Sequence, residues 1–369
     1  MKHIFTDRII EILSESFPKD YEEIFEQSNL IRYINIKTQS ASKGSKSRGS
    51  FASLYAIYVL VEDYFKQDFH ITNLYADYPG ARFVDLFKRQ KELPFGSKLQ
   101  NHALNSRMNE EFKKYFPTCD YTPILRDSSS NRYWINQNLL QLHVNKQPFN
   151  ISEVLIKIID AYIQAKRGAF ETFIEACESL KHIQDEKPEV VEKFIEDLLA
   201  PNVDARLFEI VSYAILKYYY HDQKVYFGFN LDELTVENLK LYKTGRTNAN
   251  DGGIDYVMKP LGKFFQVTET IDVKKYFLDI DKLEKFPVTF VIKSTLGIDV
   301  IRETLEANAN RQYSVKAVVK KYMDCIEELI NIPLLLERFK QTVNLGYLSL
   351  ILTEIVTQSK IEFNYEEEE

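Results

Sequence analysis

A chain of 369 residues exceeds one ordinary compact core, so two domains, or one core with large helical additions, are expected. With 45% hydrophobic and 27% charged residues it can bury an interior, and no apolar run approaches the roughly 18 residues that cross a bilayer. The net charge of −7 argues against a uniformly DNA-binding surface but leaves room for a local basic patch, because DNA responds to the local field.

Residues 5–16 have apolar positions at helical spacing, and the acidic residues among them do not fit a signal peptide. Cys119, Cys177 and Cys325 lie far apart, at no zinc spacing, which predicts isolated thiols in a cytoplasmic protein. The stretch Lys37–Ser50 is rich in Ser, Gly and base and predicts a mobile loop. Its Lys43, Lys46 and Arg48 would either wrap a DNA backbone or belong to a solvated linker. The run FASLYAIYVLVEDYF predicts a buried helix.

Residues 81–116 read as two basic helical pieces split at Leu93-Pro94-Phe95-Gly96. They hold Lys98, Arg107 and, four residues apart and so on one helical face, Asn101, Asn105 and Asn109. Asparagine and arginine pair with adenine and guanine edges, and asparagine is a poor helix former whose recurrence needs a reason. Base reading and a plain polar face both fit. Tyr133 and Trp134 read as packing more readily than as base-stacking residues. Residues 151–199 predict amphipathic helix punctuated by Pro188 and Pro201, with a boundary near residue 200. The expected domains are therefore 1–200, mainly α-helical and DNA-recognising, and 201–369.

From Asp204 the pattern changes. A helix (ARLFEIVSYAILKYYY) precedes a strand-like KVYFGF, a polar loop (KTGRTNANDGG), strands IDYVM and KFFQVTE around a Pro-Leu-Gly turn, a helix (VKKYFLDIDKLEKF), a buried strand (PVTFVIKS) and further helices. That order predicts an α/β sandwich around a small mixed sheet. The Glu366–Glu369 run predicts a solvated acidic tail. No GxxxxGK[ST] motif occurs, so a nucleotide-driven motor within this chain is not expected.

Metal-assisted phosphodiester hydrolysis needs oxygen ligands that hold a divalent cation beside the scissile phosphate. Asp255, just after a Gly-Gly pair, can supply one from the start of a strand. Gln266 and Thr268 on the next strand lie two apart and share a face, while Glu269 points to the other.

The string TGRTNANDGGIDYVMKPLGKFFQVTE resembles the core of Mrr-type restriction endonucleases of the PD-(D/E)xK superfamily, in which a Gly-rich loop ends in G-x-D and a hairpin leads to Q-x-K or E-x-K. The resemblance covers residues 204–295. It implies an α/β restriction-endonuclease-like core with Asp255, Gln266 and Glu209, the last on the preceding helix, as ligands of Mg²⁺. Arg246 and Asn248 of the loop would touch phosphates or simply be polar loop residues. Where the family carries lysine this chain has Thr268, so the water-orienting cation has to come from elsewhere. Lys275 or Lys274 at the start of the next helix comes first, then Lys263. The implied activity is Mg²⁺-dependent, site-specific cleavage of double-stranded DNA by a homodimer, with a cognate DNA methyltransferase as a separate protein. The alternatives are a defence or repair nuclease with little sequence preference, or an inactive nuclease fold that binds DNA.

Overall fold

The computed structural model describes residues 2–39, 47–67, 75–97, 99–184, 186–244 and 254–363. It is mixed α/β, with small sheets flanked by helices. Two compact units form, Met1–Phe173 with the chain from Ile361 onward, and Ile174–Lys360.

The first unit begins with α1 (Ile4–Ser16), α2 (Tyr21–Gln27), α3 (Asn29–Thr38) and α4 (Ser47–Lys66). Helix α4 is almost wholly buried from Phe51 to Val61, as a helix apolar on all sides must be. Next come β1 (Ala81–Arg82), α5 (Phe83–Glu92), a π-helical turn at Ala103–Arg107 and α6 (Met108–Tyr115). They are followed by β2 (Ile124–Asp127), β3 (Arg132–Ile135), α7 (Gln137–Leu140), β4 (Gln141–Val144), β5 (Gln147–Asn150) and the long α8 (Ser152–Ile183). Strands β1, β3 and β2 pair antiparallel in that order, and β4 and β5 form a hairpin. Trp134 of β3 donates its indole N–H to Tyr78 O, and a Cβ at Gly80 (φ +76°) would meet that indole at 2.4 Å, so only glycine fits there.

One half-buried ion cluster ties this unit together. Glu111 of α6 accepts from Lys37 Nζ (2.8 Å), Tyr33 Oη (2.9 Å) and Ser53 Oγ (3.2 Å), joining α6 to α3 and α4. Burial pushes its carboxyl up, but Lys37 and the two hydroxyls outweigh that and hold it below the usual range.

The segment expected to be a loop from Lys37 to Ser50 is shorter than that. Lys37 and Thr38 end α3 and Ser47 begins α4, while residues 40–46 lie outside the described residues. The unit boundary falls inside α8 rather than near residue 200. Pro188 opens α9 (Pro188–Asp197) at its first position, where the missing N–H costs nothing, and so marks a helix start within the second unit.

The second unit continues with α10 (Ala205–Tyr220), β6 (Lys224–Phe227), β7 (Thr235–Asn238), β8 (Lys240–Lys243), β9 (Tyr256–Lys259), β10 (Lys263–Thr268) and α11 (Val273–Lys282). It ends with β11 (Val288–Ile292), α12 (Ile298–Gln312), α13 (Lys316–Asp324), β12 (Ile326–Ile330), α14 (Ile332–Asn344) and α15 (Leu348–Phe363). The main sheet has the order β12-β11-β10-β9-β8. Strands β8, β9 and β10 form an antiparallel meander, whereas β11 runs parallel to both β10 and β12. Every residue of β11 is buried, as expected of a parallel strand covered on both faces.

Two strand assignments differ from expectation. The KVYF run forms β6, which pairs only with β7 in a solvated hairpin; the sheet's edge strand is instead β8, from the stretch read as polar. Strand β6 buries none of its side chains, but β8 buries Leu241 against the helix side. Strand β12 stands in the stretch where only further helices are expected. Its Ile326, Leu329 and Ile330 are buried, and Glu328 is neutralised by Lys263 and Arg338.

Candidate active site

Helix α10 positions the site. Asp204 caps it by accepting from Arg206 N at 2.8 Å, and its residues from Phe208 to Leu216 are buried. Two tyrosines fasten it to the sheet. Tyr213 Oη donates to Leu241 O of β8 (3.1 Å), and Tyr256 Oη of β9 donates to Glu209 O (2.6 Å). Glu209 is itself buried, and its carboxylate lies 3.3 Å from Lys243 Nζ at the end of β8.

Asp255 stands immediately before β9. Tyr256 pairs with Phe265, and the Asp255 N–H also bonds Phe265 O at 3.0 Å, so two successive residues lie against one, the count of a β-bulge. Bulges re-aim side chains. Here the Asp255 carboxylate turns onto β10 and accepts the Val267 N–H at 2.7 Å. The β9–β10 turn is closed by Gly262 (φ +67°), whose N–H bonds Met258 O at 2.9 Å.

On β10, Phe265 faces α10, its ring 6.1 Å from that of Tyr220. Gln266 and Thr268 therefore face α11 by strand alternation. Gln266 Nε2 donates to Val267 O (3.4 Å), leaving the carboxamide oxygen as the end that can coordinate a cation. Thr268 is buried, and Lys275 Nζ from α11 donates to its hydroxyl at 3.1 Å. Among the described residues no carboxylate pairs with Lys275. Lys263, at the far end of β10, is held by Glu327 (3.5 Å) and Glu328 (3.3 Å). Lys274 is exposed at the first turn of α11.

The expected residues are thus brought together in part. Asp255, Gln266, Thr268 and Lys275 gather at one end of β10. Glu209 approaches from the α10 face, opposite to that of Gln266 and Thr268. Two neighbours escaped the sequence reading: Lys243 on Glu209, and Lys293, which follows β11 and binds Glu269 (2.9 Å) and Val203 O. The in-register pairing of Thr268 with Ile292 sets Glu269 beside Lys293. Lys243, Lys275 and Lys293 all lie at the same end of the sheet, where Glu209 and Glu269 pair with the first and the last of them.

Carboxylate and carboxamide oxygens are hard donors suited to Mg²⁺, which usually takes one or two carboxylates and completes its shell with water and substrate phosphate. Among the described residues no group of three or more His, Cys, Asp or Glu could hold a metal. The protein oxygens that this end of β10 could offer such an ion are those of Asp255 and Gln266.

In the first unit, Asn109 exchanges two hydrogen bonds with the main chain of Ile124 (2.8 and 3.0 Å), and Asn105 Oδ1 accepts from Tyr133 Oη at 3.2 Å. Two of the three recurring asparagines thus fasten their helical segment to β2 and β3, which supplies the reason for their presence. Asn101 is half-buried. Arg107 is exposed beside a cavity of about 430 Å³ that it lines with His102, Lys114, Glu110 and Glu111. Lys43, Lys46, Lys98, Arg246 and Asn248 lie outside the described residues, and Arg48 falls within α4.

No family model, curated protein or solved structure matches the chain. No helix among the described residues is long and apolar enough to cross a membrane.

Proposed function

We propose that the chain is a magnesium-dependent endonuclease of the restriction type, acting on double-stranded DNA. The observation that carries this reading is the convergence of Asp255, Gln266, Thr268 and the carboxylate-free Lys275 at one end of β10. The order α10, antiparallel β8–β9–β10, α11, parallel β11 agrees with a restriction-endonuclease-like core. Asp255 and Gln266 would hold the ion, with Glu209 as the remaining candidate on the α10 face. When bound, Mg²⁺ lowers the pKa of a coordinated water and offsets charge on the phosphoryl oxygens. Lys275, held by Thr268, orients the attacking water or the phosphate.

A DNA-binding module without activity is the second reading, favoured by Thr268 at the lysine position. Incubating plasmid with the full chain and Mg²⁺ separates the readings. Discrete fragments mark a site-specific endonuclease, a smear marks a nuclease of low specificity, and intact plasmid with retarded mobility marks the binding module.

A further inference from the structure

The β6–β7 hairpin has no role in the site just described, and it is built unlike any other part of the second unit. Its strands pair only with each other, so both faces and both outer edges meet solvent. An isolated two-stranded hairpin is marginal in water. Yet this one carries a run of large apolar side chains: Tyr226 (66% exposed), Val236, Phe229 (102%), Leu231 (87%) and Leu234. At roughly 150–250 Å² for a whole aromatic side chain, hairpin and tip together present on the order of 600 Å² of apolar surface. A patch of that size is at the upper end of what soluble monomers expose, where such patches are often functional, and it approaches the roughly 800 Å² that a standard interface covers on each partner.

Charge says what covers it. Tyr226 pairs with Val236 and Lys224 with Asn238, so by alternation these four share one face, while Glu237 lies on the other. That face is apolar toward the tip, at Tyr226 and Val236, and basic at its base, at Lys224, and the tip is acidic, at Asp232 and Glu233. Two such hairpins laid antiparallel across a two-fold axis bring each Lys224 to the partner's acidic tip and stack Tyr226 and Val236 on their counterparts. A DNA backbone is a poor occupant, because the tip would oppose phosphate with two carboxylates. We propose that the β6–β7 hairpin is a homodimerisation arm, and that its occupant is the same hairpin of a second copy of this chain.

Such an isologous contact has the self-complementarity that a two-fold interface requires. The proposal does not depend on the nuclease reading. The test is the mass of the full chain in solution, by sedimentation or light scattering at micromolar concentration. Twice 43.3 kDa is expected for the unaltered chain. Phe229→Ser combined with Leu231→Ser changes only solvent-exposed side chains, so it leaves the circular dichroism intact and yields a monomer. Lys224→Glu weakens the dimer by about tenfold or more, a typical response to like charges brought into contact. Adding Asp232→Lys and Glu233→Lys to that chain restores it. A monomeric unaltered chain overturns the proposal. So does a dimer indifferent to all these changes, or a loss of DNA affinity with the mass unchanged.

Discussion

Lys275 Nζ donates to the Thr268 hydroxyl at 3.1 Å, so a cation from α11 reaches the end of β10 beside Gln266. Thr268 is buried and fixes the ammonium by one hydrogen bond without neutralising it. Lys275→Ala should lower single-turnover cleavage by about 100-fold or more with DNA affinity unchanged, the size expected on removing a catalytic proton carrier or charge. Lys275→Arg should recover part of the rate. Lys263→Ala should leave the rate unaltered, because Glu327 and Glu328 hold that ammonium at the other end of the strand. Full activity in Lys275→Ala would remove the lysine from the mechanism.

Asp255 has two duties that substitutions can separate. Its carboxylate accepts the Val267 N–H at 2.7 Å, and under the proposed function it would also be the principal oxygen ligand of the metal ion. Asp255→Asn keeps an acceptor for Val267 and should abolish cleavage while shifting unfolding by less than about 1 kcal/mol. Asp255→Ala loses both, and should cost a further 1–2 kcal/mol or so through the orphaned amide. Thermal unfolding measured beside plasmid cleavage distinguishes the effects; an active Asp255→Asn would refute the assigned site.

DNA affinity should fall steeply with salt although the chain carries a net charge of −7. Each phosphate contact contributes a slope of about −0.9 in log K against log salt for duplex DNA. Filter binding or fluorescence anisotropy across a salt series gives that slope, and a flat response would exclude a phosphate-dominated interface.

The Glu111 cluster makes stability depend on acid. Its folded carboxyl is depressed below the unfolded value, so its contribution is complete above the unfolded pKa and is lost as pH falls through the folded one. Glu111→Gln should therefore lower stability at neutral pH by about 1–3 kcal/mol, the cost of leaving Lys37 and its hydroxyl partners without the carboxylate. Denaturant titrations at neutral and acid pH should show the gap between variant and parent closing as the parent's Glu111 protonates. A gap constant with pH would show that the cluster contributes through packing alone.

Much of the second unit could be read from the chain. Helix α10, the β9–β10 hairpin, α11 and β11 stand where periodicity and the Pro-Leu-Gly turn put them, and Asp255, Gln266 and Thr268 follow from that register. What sequence could not supply was burial. KVYF has the composition of a core strand but remains in solvent, while KLYK, with a lysine at each end, pairs with β9. The glutamates of β12 look incompatible with a sheet until Arg338 and Lys263 meet Glu328. Pairs such as Glu209–Lys243 and Glu269–Lys293 join residues far apart in sequence, so no local pattern announces them. The asparagine repeat had a real cause, but its partners were Ile124 and Tyr133 of the same chain.

The position of β11 between two parallel neighbours has a bearing on the order of assembly. The β8–β9–β10 meander includes a tight hairpin and can pair early, whereas β11 and β12 join only after their crossover helices have closed long loops. The Asp255–Val267 and Lys275–Thr268 contacts, which span 12 and 7 residues, can therefore form before β12 is in place. Amides of β9 should gain protection from hydrogen exchange ahead of those of β12 during refolding. A chain arrested between the two stages would already hold Asp255 against β10 while β11 still lacked β12 on its outer side.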